Sequence, residues 1–395
     1  MWNKTTKYLS ENLDRLVTVI FLFISFFSYT TSIHSMRNIG KVALIILFVK
    51  LLVQFIKKEQ LSTNQVMKRV LIQVILPYLV YYVYSVFITI LNYNNVEYLL
   101  WHSTMTSLKL IITLLLGYFL TCLYKDSVNM ITHSLIISNC VSIIYFIFSA
   151  IIVKKCDFSI LEIHEVTYCL GLVLLFRLIN TKKVVNSLNI IIIFFIIIGC
   201  KKITFLALLI CFIVYLVYRL FLKLIFPKKI IYMFSIITFI VVCLYLLLST
   251  TWLDFYIKIV KSLNINTMGR IKIYSWLKIH CPGYHLLGSG IGYTDMILSQ
   301  SPIMSEFVII HNDILRIFIE GGLIFFILWF INFIVIQTKR IYKNCGIKPT
   351  ITYFFMVLFT VIHYMTDNVF IYPNYTLVFY GLLFHMISNL EKNKE

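Results

Sequence analysis

Apolar runs of about 18 residues or more recur along the chain, from near residue 16 to near residue 389. At 1.5 Å of rise per residue, a helix of about 20 such residues crosses the roughly 30 Å hydrocarbon layer of a bilayer. Lipid offers no partner to a backbone amide, so each run must satisfy its own hydrogen bonds as a helix. The 395 residues are 60% hydrophobic and only 13% charged. A soluble core stops growing well before it needs that much apolar surface. The expected fold is an all-α polytopic membrane protein, a single bundle over 1–395. About twelve spans are placed near 16–34, 39–56, 70–91, 105–124, 131–153, 163–180, 184–200, 203–226, 230–253, 314–336, 350–366 and 372–389. No internal repeat or low-complexity linker is seen.

The formal charge of +19 points either to nucleic acid or to basic cytoplasmic loops, and the apolar runs favour the loops. With both termini cytoplasmic, the cytoplasmic segments hold 21 Lys and Arg against 6 Asp and Glu, and the other side 11 against 10. That asymmetry follows the positive-inside rule. The start "MWNKTTKYLSENLDRL" carries no small-residue cleavage site and reads as a cytoplasmic lead into an uncleaved first span. This topology sets one long loop, 254–313, outside the cytoplasm; the other connections are short. The nine cysteines are scattered and mostly within spans, which argues against a disulfide framework. Cys156, Cys200 and Cys281 are the three that approach the outer face.

The long loop carries the unusual residues. "MGRIKIYSWLKI" spaces its apolar residues as an amphipathic surface helix, opened by Arg270. "HLLGSGIGY" supplies Gly288, Gly290 and Gly292, which let a backbone turn sharply and approach a ligand closely. No Lys-Ser/Thr follows and no βαβ pattern surrounds them, so they are not a nucleotide cradle. "HNDILRIFIEGG" then sets His311, Asn312 and Asp313 at the mouth of an apolar helix, with Arg316 and Glu320 one turn apart inside it. Arg316 and Glu320 are spaced to neutralise each other as a structural ion pair.

Taken in order, "GR…YSW…P…GSGIGY…HNDILRIFIEGG" resembles the core of the Wzy-type polysaccharide polymerases and O-antigen ligases. The detailed likeness covers Arg270 to Gly322, about 55 residues, and the topology is similar beyond it. Two positions depart from the family pattern. Phe325 stands where a second small residue is usual, and "GCKKIT" replaces a Ser-Arg, so that Lys201 or Lys202 would take the arginine's role.

The resemblance implies glycosyl transfer between undecaprenyl-pyrophosphate-linked oligosaccharides at the outer face of the bacterial cytoplasmic membrane, making capsular, O-antigen or other surface polysaccharide. Histidine suits the base for an acceptor hydroxyl, which is the role given to His311. Fixed cations suit the leaving pyrophosphate, a role given to Arg270, Lys201, Lys202 and Arg316. Asn312, Gly288, Gly290 and His164 are further candidates for substrate contact. No cofactor or metal is expected; Asp157, Glu162 and Glu165 would be the alternative if a cation were used. The partners implied are the lipid-linked substrates, the bilayer, a chain-length regulator and a flippase, with no nucleic acid. Blander readings stand beside these. His311 caps a helix, Lys201 and Lys202 are a solvated turn, and His164 starts a helix; Asp367 and Asn368 touch sugar hydroxyls or nothing. A ligase shares fold and chemistry and differs only in acceptor. A lipid-linked oligosaccharide flippase has a similar span count but does not need the loop, and usually shows two related halves. Metal-using lipid-sugar transferases carry acids in the first outer loop, and "TTSIHSMRNIGK" has none.

Overall fold

A computed structural model describes residues 2–30, 34–57, 65–92, 96–153, 164–181, 186–222, 226–264, 267, 269–281, 286–301 and 309–391. Every regular element among them is helical. The chain divides into two compact units, one of 1–68, 112–205 and 372–395, the other of 69–111 and 206–371.

The first unit contains α1 (Trp2–Ser28), α2 (His34–Lys57), the second part of α4 (Val96–Leu123), α5 (Ser127–Val153), α6 (His164–Asn180), α7 (Ser187–Ile198) and α16 (Pro373–Glu391). Its helices pack through small and hydroxylated residues. A Cβ on Gly117 of α4 would meet the Gly381 backbone nitrogen of α16 at 2.7 Å. Ser134 and Ser138 of α5 donate to the Val19 and Phe23 carbonyls of α1 at 3.4 and 3.2 Å. Close backbone approach and side-chain hydrogen bonds are how helices associate where lipid gives no hydrophobic drive.

The second unit holds α3 (Gln65–Asn92) from Arg69 on, the first part of α4, most of α8 (Lys202–Phe221), α9 (Pro227–Ser249), α10 (Leu253–Ser262), α11 (Arg270–His280), α12 (Tyr293–Ser299), α13 (Asp313–Phe330), α14 (Gln337–Cys345) and α15 (Ile347–Tyr364). Pro227 opens α9, where its missing N–H costs nothing. That helix buries Ile230, Ser235, Thr238, Val242 and Leu246, and exposes Ile236, Ile237, Ile240 and Leu244. Beyond the exposed Lys228 and Lys229 at its start, the helix buries its Ser and Thr hydroxyls and exposes apolar side chains, which suits lipid rather than water as the surrounding solvent. α15 is buried on almost every side and forms the core of this unit. A π-helical turn, Ile331–Ile336, joins α13 to α14.

The sequence leads to twelve spans; among the described residues, eight helices are long and apolar enough to cross a membrane. Helices also stand at the other four stretches, but α6 and α7 have 17 and 12 residues, and α1 carries Glu11, Asp14 and Arg15. None of the eight described cysteines is in a disulfide, and Cys156 lies outside the described residues.

Candidate functional site

Asn312 caps α13. Its backbone is extended, and its Oδ1 accepts from the Leu315 backbone N–H at 3.0 Å, filling one of the donors a helix start leaves open. His311, just before it, is held at φ +49°, a left-handed conformation that costs a residue with a side chain about 1–3 kcal/mol. The imidazole is 38% exposed. Its Nδ1 lies 3.3 Å from Asn368 Nδ2 and 3.6 Å from Asp367 Oδ1. Asp367 is itself buried, and its Oδ1 accepts from the Asn368 N–H at 2.8 Å. An ionised carboxylate only accepts, and a half-turn of the Asn368 amide brings its unpartnered Oδ1 onto Nδ1. With the amide so turned, both neighbours accept from Nδ1–H and Nε2 keeps a lone pair; with Asn368 Nδ2 donating as placed, the ring proton is on Nε2 instead. Asp313 fastens the same corner by accepting from the Phe370 N–H at 2.7 Å.

Arg270 starts α11 after Gly269, whose φ of +81° turns the chain into the helix. Its Nε is buried without a hydrogen-bond partner, and among the described residues no carboxylate pairs with it. Its charge is felt by Tyr245, Tyr256 and Tyr274. Burial pushes the Tyr274 hydroxyl up to about 12, against the opposing pull of Tyr245, Asn312 and Arg270. That hydroxyl faces Tyr245 and Asn312 without a well-formed bond to either. Asn312 Nδ2 reaches the Tyr245 hydroxyl at 3.5 Å, and Tyr245 donates to the Met365 carbonyl. The residue beside His311 thus bonds to a tyrosine that feels the Arg270 charge.

The rest of α13 is occupied by its own partners. Arg316 Nη1 and Nη2 make a two-pronged contact with Asp295 of α12 at 3.1 and 2.8 Å. Burial raises the Asp295 carboxyl, but Arg316 and His102 outweigh it and hold the group at about 2. The expected Arg316–Glu320 pair is present only as a 3.9 Å contact, because the guanidinium fork is already taken by Asp295. Glu320 instead accepts from Thr294, and from Tyr81 at 3.4 Å. With 3% of its side chain exposed, Arg316, named from the sequence both as a substrate contact and as half of an ion pair, is buried with its fork on Asp295.

The glycines also take a different partner from the one expected. α13 breaks at Gly322, φ 75° and ψ 175°, which frees the carbonyls of the turn before it. Ser289 N–H donates to Ile319 O at 3.1 Å and Gly290 N–H to Glu320 O at 2.8 Å, while Ile324 N–H reaches Leu286 O at 3.3 Å. Gly288 and Gly322 meet backbone to backbone, so a Cβ on either would fall on the other's chain. A Cβ on Gly290 would strike Thr89. In the structure these glycines approach α13 and α3 closely.

Lys201, Lys202 and His164 belong to the first unit. Lys202 opens α8 and is exposed, and Lys201 is half-buried. Cys200 before them has φ +49°, and Gly199 lies against Thr167 of α6, so this turn abuts the first turn of α6. His164 begins α6, with its side chain outside the described residues, as are Asp157 and Glu162. Glu165 is buried and accepts from the Asn374 N–H at 3.1 Å. Among the described residues no three His, Cys, Asp or Glu gather as ligands for a metal ion. Sequence reasoning missed Asp295, His102, Tyr245 and Tyr274, and gave Asp367 too little weight. Only Asp295, a lone acid directly after the glycine turn, carried a local signal.

No family model matches the chain, and no curated protein matches it.

Proposed function

We propose that this chain is a membrane glycosyltransferase that polymerises undecaprenyl-pyrophosphate-linked repeat units into a surface polysaccharide. The observation that carries the reading is the pairing of His311, partly exposed with Nδ1 against Asp367, with Arg270, a cation that no carboxylate among the described residues pairs with. In the proposed reaction His311 Nε2 takes the proton of the acceptor sugar hydroxyl. The oxygen attacks the anomeric carbon of the donor, and the bond from that carbon to the pyrophosphate oxygen breaks. The electron pair leaves with the pyrophosphate, where Arg270 meets the growing charge.

The roles of Lys201 and Lys202 on the pyrophosphate rest on the sequence resemblance alone. The twelve-span topology with both termini cytoplasmic and the outward loop rest on the apolar runs and the charge asymmetry, and the chain-length regulator and flippase as partners on the resemblance. The proposed reaction is metal-independent. Activity lost with EDTA and restored by magnesium or manganese would overturn that part and turn attention to Asp157, Glu162 and Glu165.

Deletion tests the reading, with lipid-linked and surface glycans sized by gel. Loss of long chains with single repeats retained is the expected result. Long chains stranded on carrier lipid would make the protein a ligase, and unchanged glycans would exclude both.

A further inference from the structure

α13 is two pieces. The break at Gly322 separates a first half, Asp313–Gly321, from the apolar remainder of the span. A helix this short is marginal on its own, and a broken ladder passes little direction from one half to the other. The first half nevertheless carries His311 and Asn312 at its amino end. Its orientation must come from lateral contacts, and these can be named. Asp313 binds the Phe370 N–H, Ile319 and Glu320 carbonyls accept from Ser289 and Gly290, and Glu320 accepts from Thr294 and Tyr81. The charged contact is the Arg316 fork on Asp295, and Asp295 is braced from behind by His102 Nε2 at 3.3 Å.

We propose that Asp295 is a positioning residue of this site: acting through Arg316, it holds the first half of α13 in the orientation that presents His311 and Asn312. The proposal rests on the glycosyl-transfer reading above. A two-pronged guanidinium–carboxylate contact fixes rotation as well as distance, which a single-point contact does not. Without the Asp295 charge, Arg316 keeps only the 3.9 Å contact to Glu320 among the described carboxylates, and the two-pronged hold on the roll of the half-helix is lost, with the Thr294–Glu320 bond remaining beside it. The Asp295 side chain is 19% exposed and its oxygens are taken by Arg316 and His102, so its effect is on geometry and not on substrate contact.

The test compares purified full-length wild type, Asp295→Asn, Asp295→Glu and His311→Ala with synthetic lipid-linked repeats as substrate. Asp295→Asn keeps the shape and removes the charge; kcat should fall roughly ten- to a hundredfold with KM within about twofold. Asp295→Glu, which restores the charge, should recover part of the loss. Amide hydrogen exchange over residues 313–318 should quicken by about tenfold in Asp295→Asn and stay put over α15. Unchanged exchange over 313–318 overturns the proposal whatever the activity. A rise in KM at constant kcat also overturns it, since Arg316 would then face substrate. Full activity in His311→Ala would instead defeat the glycosyl-transfer reading, and exchange would still decide the positioning role.

Discussion

Two arginines of the second unit show opposite uses of the same side chain. Arg316 sits 3% exposed inside a span with its fork filled by Asp295 and with Glu320 behind it. Arg270 stands at the start of a loop helix, where tyrosine rings line it and no described carboxylate answers it. A guanidinium that has found its anion has no charge left for a ligand and serves the fold. One left with phenols keeps its charge for something that arrives. The same contrast separates the two histidines, His102 braced on Asp295 and His311 turned outward from Asp367.

The contrast can be broken most sharply at His311. His311→Ala should lower turnover by about a hundred- to ten-thousandfold, with normal membrane insertion and an unchanged melting temperature. Near-normal turnover would reduce the residue to a helix lead-in. Arg316→Met should have the reverse signature. It strands Asp295 and Glu320 in a buried site at a cost of about 3–5 kcal/mol, read as loss of detergent-stable protein. A stable, inactive Arg316→Met would mean that both arginines serve the substrate. Arg270→Lys keeps charge but not the paired donors, and should cost about ten- to a hundredfold in kcat/KM with stability untouched.

The smallest effect sharpens the comparison through pH. Asp295 is held at about 2 against an ordinary 3.8, so its contribution is complete above about pH 4 and is lost as pH falls towards 2. That is about 2 kcal/mol, visible as an acid-side drop in melting temperature that Asp295→Asn lacks.

Much of this was legible in the chain because its signals are local. An apolar run dictates a helix without reference to anything else, and Asn312 announces a cap three residues before its partner Leu315. The difference between twelve spans and eight arises where helices are short or charged, as in α7 and α1, and length and hydropathy point in opposite directions. The partners were hidden for a different reason. Asp295 is 21 residues from Arg316, and Glu320 at the helical spacing of four was the nearer candidate. The glycine turn was visible, but what it turns towards depended on a helix break at Gly322, and a second glycine in an apolar run gives no sign of a break.

The Gly288–Gly322 junction has a consequence for the order in which this protein is made. The turn at 286–290 leaves the ribosome before α13, yet the carbonyls it serves, Ile319 and Glu320, do not exist until the span has been synthesised. Until the turn folds back, those two oxygens lack their final donors, and a break at Gly322 would also take away their usual ones four residues on. A nascent span in that condition favours an unbroken helix, with the Gly322 amide inside the ladder. The break, and with it the tilt of the segment bearing His311, is therefore a late event that waits for the loop to fold back. The segment bearing His311 thus takes its final form only after α13 is made, set by a turn synthesised before it.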